Sequence, residues 1–474
     1  MSSIAKFLYS RSLSALGYDP TNGQREMLQT LAEFIGGNAE EEWLTVVNGY
    51  AGTGKTSALA AFISALKSID YKYVLLAPTG RAAKVLSNFT GEKASTIHKY
   101  IYKQKSLVDG IGEFALNFKK NTDTLFIVDE VSLISSASNG DSLFGSGDLL
   151  SDLFQFVRSN PSNRLILTGD PAQLPPVGMD CSPALDIDYL QQFTQNVKSV
   201  YLTEVVRQAE ESGILANATS LREQIEAGDL CEPFFETMQY PDIEPITGEF
   251  LIEKLSDSIE EYGEDNVVVL CRSNIRANKY NQGIRSSVLF KEEKLCRGDR
   301  LMIVKNCYQF KGKSEELDFI ANGDIAELVH IGNYEERYGF HFAEATLSFP
   351  DYNNSEVDAK IILDTLDATT PALGRDEQTA LYRNVAEDYS DIKDKRKRSK
   401  AIKEDPFFNA LQIKYATAIT AHKSQGGQWK CVFVDNILWR DEIGIEDKKW
   451  LYTALTRGVD KVYLVNFDKK YINE

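Results

Sequence analysis

Residues 49–56 form a glycine-rich loop with a spacing that suits phosphate binding. They read Gly-Tyr-Ala-Gly-Thr-Gly-Lys-Thr, which fits the pattern G-x-x-x-x-G-K-[ST] between an apolar run and a helix-forming segment. Such glycines let backbone N–H groups surround phosphate, while the lysine neutralises the outer phosphates and the following hydroxyl holds Mg²⁺. The residues predicted to hold ATP and Mg²⁺ here are Gly49, Gly52, Thr53, Gly54, Lys55, Thr56 and Ser57.

Two adjacent carboxylates follow another apolar run. Residues 125–128 read Leu-Phe-Ile-Val, and Asp129 and Glu130 come directly after them. Because open α/β sheets bind ligands at the carboxyl ends of their strands, we expect both side chains beside the phosphate loop. Asp129 suits the Mg²⁺ shell, together with Thr56. Glu130 suits the role of general base for an attacking water.

Two glutamines are candidates for the same site. Gln24 lies three residues after Thr21, which is the spacing of a helix capping box, and its amide is also suited to pairing with adenine. These two interpretations are compatible. Gln173 lies in the proline-bounded loop 169–176, where it could reach the γ-phosphate and report hydrolysis; the alternative is an ordinary turn.

The composition is that of a multidomain globular protein. The chain has 474 residues, 43% hydrophobic and 26% charged, and the length suggests about three domains. It contains neither a membrane-spanning apolar segment nor a secretory signal, so we expect no membrane partner and a cytoplasmic location, nucleoid-associated if the source is bacterial. The six cysteines are far apart and are predicted to be reduced thiols.

The net charge of -17 argues against a nucleic-acid partner unless the charge is unevenly distributed. It is uneven, because Lys254 is the only basic residue between positions 223 and 265. That leaves room for a basic track elsewhere. The lysine- and arginine-rich segment 393–403 is either a solvated helix face or a surface that touches DNA.

Short β-branched runs alternate with helical segments along two parts of the chain, which is typical of parallel, doubly wound α/β sheets. The first part contains the runs 43–48, 73–77, 125–128, 164–168 and 200–203, and the second contains 267–271, 431–435 and 461–466. Three further β-rich runs, at 326–331, 339–348 and 358–363, surround Gly and Asn turns. We predict two α/β domains, with a small antiparallel barrel inserted in the second. A hairpin is predicted within residues 100–124 of the first.

Taken together, these segments resemble superfamily 1 helicases, and most closely the RecD/Dda-like group that moves 5′ to 3′. The motifs follow that family's order over nearly the whole chain. They are Gln24, the phosphate loop, and residues 76–83, 94–98, 129–132, 169–176, 202–208, 420–426 and 451–458.

The resemblance implies two RecA-like P-loop domains with ATP between them. It predicts domain 1A at residues 1–205, with a small pin (1B) at about 100–124, and domain 2A at residues 206–310 and 406–474. An SH3-like barrel (2B) would occupy residues 311–405. Arg207 and Arg457 would sense the γ-phosphate, Arg457 as an arginine finger from the second lobe.

The resemblance also implies a track for single-stranded nucleic acid. Hydroxyls and isolated cations bind phosphate without reading sequence. The predicted contacts are Thr79, Arg81, Lys84, Thr96 and His98 in the first lobe, and Thr420, Lys423 and Ser424 in the second. The two histidines of these motifs, His98 and His422, could instead be buried polar residues.

In relatives of this kind the pin separates strands, and Phe114 or Phe118 could supply an aromatic end. Stacking a base on an aromatic side chain contributes ~1–3 kcal/mol, and separating one base-pair step of a duplex costs on average about 1.4 kcal/mol. One ring could therefore offset the loss of one stacked step. The alternative is that both rings pack the hairpin on the lobe.

The predicted function is therefore ATP-dependent translocation on single-stranded DNA and unwinding of forked DNA. We expect the chain to act as a monomer, with replication or repair proteins as candidate partners. DNA repair, recombination, replication restart and phage replication are all open as its pathway. Two alternatives stay open: an RNA-directed helicase of the same superfamily, and a nucleic-acid-dependent ATPase switch that does not unwind.

Overall fold

The structure is a computed structural model that describes all residues except 109–110, 119–120, 137–144, 207–210, 308–319, 440–441 and 474; the side chains of residues 104–113 are also outside the description. It contains two sheets of parallel strands, a closed barrel and a two-stranded hairpin. No helix within the described part of the chain is long and apolar enough to cross a membrane.

The first lobe is built on a six-stranded parallel sheet. The strands of this lobe are β1 (Leu44–Gly49), β2 (Tyr73–Ala77), β3 (Ala94–Thr96), β4 (Tyr102–Val108), β5 (Ile111–Leu116), β6 (Leu125–Val128), β7 (Arg164–Gly169) and β8 (Val197–Leu202). The sheet order is β3-β2-β6-β7-β1-β8. Every residue of β1, β6 and β7 is buried, as expected for continuous apolar runs with both sheet faces covered.

Helices cover both faces of this sheet. They are α1 (Ser3–Leu16), α2 (Asn22–Gly36), α3 (Lys55–Lys67), α4 (Gly80–Thr90), α5 (Ile97–Ile101), α6 (Leu149–Val157) and α7 (Ile187–Leu190). One apolar cluster joins α1, α2 and α3 to inward side chains such as Val47 and Ile127. A second cluster joins α5 and α6 to the opposite side chains, Val46 and Phe126. Successive side chains along each strand point to opposite faces of the sheet, so they belong alternately to the two apolar clusters.

The predicted hairpin is present as β4 and β5, which pair antiparallel from Tyr102 with Leu116 to Val108 with Ile111. It leaves the first sheet after α5 and returns before β6. The turn residues themselves, 109–110, lie outside the described part of the chain.

The second lobe contains a five-stranded parallel sheet. Its strands are β9 (Ile243–Ile246), β10 (Val267–Cys271), β16 (Ala418–Thr420), β17 (Trp429–Asp435) and β18 (Gly458–Val465), in the order β16-β10-β17-β18-β9. Its helices are α8 (Gly213–Ala227), α9 (Leu251–Tyr262), α10 (Asn274–Ser287), α14 (Ala421–Ser424) and α15 (Ile445–Leu455). The fold class predicted for both lobes is confirmed.

A closed five-stranded barrel is inserted between β10 and β16. Its strands are β11 (Arg300–Ile303), β12 (Ile325–Arg337), β13 (Phe340–Phe349), β14 (Ser355–Ile362) and β15 (Leu411–Tyr415). The connection from β14 to β15 carries α11 (Asp364–Asp367), α12 (Arg375–Asp388) and α13 (Lys395–Glu404). Short 3₁₀ turns occur elsewhere at Val131–Leu133, Glu264–Asn266, Pro350–Tyr352 and Lys469–Tyr471.

The barrel differs from the predicted insertion in two respects. It extends beyond residues 311–405 at both ends, because closure uses β11 and β15 as neighbouring strands. It is antiparallel at every junction except one, since β15 returns after a long helical connection and pairs parallel with β14. A crossover of that length permits parallel pairing, which a tight turn does not.

The two lobes share an apolar interface. Tyr50, Ala172 and Leu174 of the first lobe belong to the same buried cluster as Leu451 and Leu455 of α15. This packing brings the loops at the carboxyl ends of the first sheet against the helix that precedes β18. The candidate site lies at that junction.

Candidate functional site

The glycine-rich loop connects β1 to α3 with the backbone that a phosphate cradle needs. Gly52 and Gly54 have φ angles of 76° and 70°, in the left-handed region. A Cβ at Gly54 would lie 2.3 Å from Nε2 of Gln24, so a larger residue does not fit there. Lys55 begins α3 and is 8% exposed, which places its ammonium group in the buried floor of the loop.

Gln24 supports this loop from beneath. Its Oε1 accepts the backbone N–H of Thr21, which completes the predicted capping box, and its Nε2 donates to the Thr53 carbonyl at 3.0 Å. A second bond runs from Nε2 to the Tyr18 hydroxyl at 3.3 Å. The amide is fully buried and holds the loop to α2. Its contact with adenine stays a prediction.

The two predicted carboxylates lie at the end of β6, next to Lys55. Burial raises the pKa of Asp129, and the nearby Lys55 ammonium group opposes that rise. Asp129 Oδ1 accepts the Glu130 N–H at 2.9 Å. Glu130 has φ 56°, and its buried Oε2 has no hydrogen-bond partner among the described residues. A non-glycine residue in the left-handed region is strained, and such strain is concentrated at functional sites.

Thr56 and Asp129 are the residues predicted to hold a magnesium ion. A hydroxyl and a carboxylate are hard oxygen donors, and Mg²⁺ is commonly bound through one or two such groups together with substrate phosphates and water. No cluster of three or more His, Cys, Asp or Glu side chains suited to a metal occurs in the part of the chain that the structure describes. A cation would also compensate the buried charge of Asp129.

The loop after β7 brings two more polar side chains to the cleft. Asp170 is 2% exposed, accepts the Ala172 N–H at 3.0 Å, and has its pKa raised by burial. Gln173 is also buried, and its Oε1 has no partner among the described residues. An unpaired buried amide oxygen is costly in a folded protein, which favours a role at a ligand site over the ordinary turn.

The second lobe supplies Arg457 from the end of α15. The residue is 5% exposed, and its guanidinium group donates to the carbonyls of Thr453 and Gly427 at 3.1 and 3.3 Å. These bonds fix its direction within the lobe. Arg457 lines one cleft together with the glycine-rich loop, Asp129, Glu130 and Gln173. The structure therefore brings predicted nucleotide residues of both lobes to one cleft. Gln24 and Thr53 are fully buried and do not line it, and Arg207 lies outside the described residues.

Hydrogen bonds cross the cleft at its base. The Tyr452 hydroxyl accepts the Ala51 N–H at 2.9 Å and donates to Asp170 Oδ2 at 2.7 Å. The Thr453 hydroxyl accepts the Leu174 N–H at 2.9 Å. Sequence reasoning did not select Tyr452 or Asp170, although both lie inside the motifs it used. Their partners are far away along the chain, so spacing alone could not find them.

The predicted track residues of the first lobe lie at one edge of its sheet. Thr79 and Thr96 follow β2 and β3, which are neighbours, and their hydroxyls accept the first-turn N–H groups of Ala82 and Lys99. Each hydroxyl keeps its proton for another acceptor. Lys84 follows on α4 and is half-buried. Burial lowers the pKa of His98 to about 4, so its imidazole is neutral at physiological pH.

The corresponding second-lobe residues lie after the edge strand β16. Thr420 occupies the N-cap position of α14, and Lys423 lies half-buried on that helix. Burial, with the like charge of Lys414 as a lesser cause, lowers the pKa of Lys423 to about 8. Ser424 requires a correction. It is 0% exposed and its hydroxyl donates to the Ala421 carbonyl at 2.8 Å, so it stabilises the short helix and does not face a track.

Arg81 also occupies a different place from the one predicted. Its guanidinium carbon lies 3.9 Å from the ring centroid of Trp429, and it donates to the Gln428 carbonyl at 3.4 Å. Both partners belong to the second lobe. Arg81 is thus engaged in a contact between lobes at the edge of the cleft.

The two pin aromatics have different environments. Phe114 packs against the first-lobe core and is half-buried, as the alternative interpretation proposed. Phe118 follows β5 and is 55% exposed. Of the two rings, Phe118 is the one that is open to an incoming base.

Comparison with known proteins agrees with this arrangement. The model of an AAA domain family matches residues 20–230, and the model of the UvrD-like helicase C-terminal domain matches residues 415–465. The ATP-dependent RecD2 DNA helicase of Deinococcus radiodurans is 33% identical over 183 residues, covering 38% of this chain and 21% of that protein. Together these matches support superfamily 1 of the helicases.

Two further matches are a shorter sequence alignment and a structural alignment at low sequence identity. The ATP-dependent DNA helicase dda of Enterobacteria phage T4 is 38% identical over 84 residues, which is 18% of this chain and 18% of that protein. The chain thus spans about a fifth of the length of each of these curated relatives. A crystal structure of the Bacteroides Pif1 helicase in complex with ADP-AlF3 and ssDNA aligns over 96% of this chain and 95% of that chain, at 16% identity and a TM-score of 0.49.

Proposed function

We propose that this superfamily 1 chain is an ATP-dependent helicase that moves 5′ to 3′ on single-stranded DNA and unwinds duplex DNA. The observation that carries the proposal is the shared cleft, in which Lys55, Asp129 and Glu130 of one lobe meet Arg457 of the other. Such a cleft completes its catalytic set only when both lobes are in place. Hydrolysis and lobe movement are therefore expected to depend on each other.

The side chains have distinct roles in this proposal. Lys55 and the loop N–H groups hold the phosphates of ATP, and Thr56 and Asp129 hold Mg²⁺, which neutralises charge on the phosphates when bound. Glu130 accepts a proton from the attacking water through its unpaired oxygen. Arg457 stabilises negative charge that develops on the transferred phosphoryl group. Gln173 orients this set from the loop after β7.

Movement along the strand follows from where the track residues are attached. Thr79 and Thr96 belong to the first lobe, whereas Thr420 and Lys423 belong to the second. Thr96 ends the edge strand β3, and Thr79 follows its neighbour β2. Thr420 ends the edge strand β16, and Lys423 lies on the helix that follows it. A change in the distance between the lobes therefore changes the distance between two sets of phosphate contacts, which is the requirement for stepping.

The remaining parts are consistent with work at a fork. The exposed Phe118 of the hairpin is proposed to stack on a base at the junction. The barrel reaches the start of the first-lobe track, because a Cβ at Gly80 would lie 2.3 Å from Asp324 Oδ1. It also contacts the second lobe, where Asn278 donates to the Asp367 and Ala368 carbonyls. We propose forked DNA as substrate and a monomer as the active form.

Single-stranded DNA should stimulate ATP hydrolysis by the purified chain, and forked duplexes should be unwound only when ATP and Mg²⁺ are present. Lys55→Ala should abolish both activities. Glu130→Gln should retain ATP binding but lose hydrolysis, because the amide cannot accept the proton of water. Stimulation by RNA and not by DNA would instead support an RNA-directed helicase, and stimulated hydrolysis without strand separation would indicate a switch.

A further inference from the structure

Tyr452 occupies a position that core packing alone does not explain. The residue lies on α15, five residues before Arg457, and is 1% exposed. Its hydroxyl is bonded on one side to the phosphate loop, through the Ala51 N–H, and on the other to the loop after β7, through Asp170. Three catalytic segments therefore meet at one oxygen atom.

We propose that the Tyr452 hydroxyl is a positioning group that couples nucleotide in the phosphate loop to the placement of Arg457 and the Asp170–Gln173 loop. The inference rests on the proposed ATP hydrolysis and names a residue of this chain that links its two lobes. Tyr452 need not touch ATP. It acts through Ala51 and Asp170, and is therefore distinguished from the catalytic residues.

The chemistry of the hydroxyl suits a fixed link. Burial, together with the nearby Asp170 carboxylate, raises the pKa of Tyr452 well above its ordinary value, so the phenol keeps its proton and continues to donate. Burial also raises the pKa of Asp170, while Lys55 and the Tyr452 bond oppose that change. Loss of the hydroxyl would leave a buried carboxylate oxygen and a loop N–H without these partners, which is costly at a buried site.

Geometry explains why a small change here should affect turnover. Arg457 donates through Nε to the Thr453 carbonyl, so its position is tied to the backbone next to Tyr452. A shift of α15 against the phosphate loop therefore moves the finger relative to the phosphates. In general a misplacement of about 1 Å in an active site can cost about 10²-fold in rate.

The test compares Tyr452→Phe, Asp170→Asn and their double variant with the wild-type chain. Phenylalanine fills the same space and removes only the hydroxyl. We expect each single variant to lower the DNA-stimulated kcat by at least about tenfold while KM for ATP stays within about threefold, because the link acts on placement and not on binding. The double variant should be no slower than the slower single variant, since both changes act on the Tyr452–Asp170 bond: Tyr452→Phe removes its donor, and Asp170→Asn removes the charge of its acceptor.

A second readout is independent of turnover. In the wild-type chain, ADP with aluminium fluoride should raise the thermal unfolding midpoint more than ADP alone, because an analogue of the transferring phosphoryl group engages both lobes. Tyr452→Phe should lose at least half of that additional rise. A merely structural role would lower the midpoint of every sample by the same amount and leave the difference intact.

Lys449→Met is the matched control. Lys449 lies one turn earlier on α15 and donates across the lobe interface to the Asp180 carbonyl at 2.8 Å, away from the phosphate loop. Lys449→Met should keep kcat within about threefold of wild type, because it removes a bond between the lobes but leaves the Tyr452 bonds to Ala51 and Asp170 intact. Equal losses in Lys449→Met and Tyr452→Phe would overturn the inference, as would wild-type turnover in Tyr452→Phe. Absence of stimulated hydrolysis in the wild-type chain would instead contradict the proposed function itself.

Discussion

The guanidinium group of Arg81 lies over the indole ring of Trp429, 3.9 Å from the ring centroid. The contact joins the first turn of α4 in one lobe to the start of β17 in the other. Burial lowers the pKa of Arg81 to about 10, so it stays cationic at neutral pH. A cation stacked in this way is worth roughly 0.5–2 kcal/mol, enough to bias the closure of the two lobes.

This contact predicts that Arg81 braces the lobes and does not bind phosphate. Arg81→Gln should lower DNA-stimulated hydrolysis severalfold, but the dependence of single-stranded DNA affinity on salt should stay unchanged. Lys84→Gln, on the same helix, should instead reduce the slope of log affinity against log salt by about 0.7, the value for one phosphate contact on a single strand. Fluorescence anisotropy over a salt series measures both. A reduced slope of log affinity against log salt in Arg81→Gln would show that Arg81 does bind phosphate.

Arg457 should contribute to the chemical step and little to ATP binding. Arg457→Ala should slow DNA-stimulated hydrolysis by on the order of 10³-fold or more, with KM for ATP changed far less, as expected for a finger that meets transition-state charge. Arg457→Lys should recover only part of this loss because a point charge lacks the planar fork. Thermal unfolding of both variants controls for the lost bonds to Thr453 and Gly427. A loss of less than about threefold would show that the lobes do not close on nucleotide.

Lys423 predicts a pH dependence of DNA binding. Its pKa is lowered to about 8, so the free protein loses this cation as pH rises through about 8. If the ammonium group binds phosphate, single-stranded DNA affinity should fall above that pH, by at most about tenfold per pH unit. Lys423→Arg stays charged and should remove this component. The same loss of affinity in wild type and Lys423→Arg would exclude Lys423 as its source.

The two pin aromatics should have separable effects. Phe118→Ala should impair strand separation and spare DNA-stimulated hydrolysis, because the exposed ring lies outside the cleft. Phe114→Ala should mainly lower thermal stability, since that ring packs on the first-lobe core. Strand displacement and ATP turnover, measured on the same preparations, distinguish the two. Equal loss of both activities in Phe118→Ala would indicate that the hairpin is structural support.

Local patterns in the sequence were sufficient for the long strands and the nucleotide loop, but not for features created by distant pairing. Strands β3 and β16 have three residues each, too few to show a period. The barrel closes because β11 and β15 meet from positions more than a hundred residues apart. Likewise, Tyr452 reads as a core aromatic on a helix until its partners, Ala51 and Asp170, are brought to it by the packing of the lobes.

Contacts between distant residues also explain why two of the predicted track residues lie elsewhere in the structure. Arg81 and Ser424 have the residue types that phosphate contacts use, so motif and chemistry selected them. Their orientations separate them from the other predicted contacts: the Ser424 hydroxyl bonds within α14, and Arg81 packs against an aromatic ring of the other lobe. By contrast, Thr79 and Thr96 cap helices, and threonine is a residue type preferred at helix N-caps.

Directional unwinding is tested most directly by strand displacement on two partial duplexes that differ only in which strand carries the single-stranded loading tail. We predict ATP-dependent displacement from the 5′-tailed duplex at a rate at least about tenfold above that from the 3′-tailed duplex, with Glu130→Gln inactive on both. Faster displacement from the 3′-tailed duplex, or equal rates on the two, would contradict 5′ to 3′ movement by this chain.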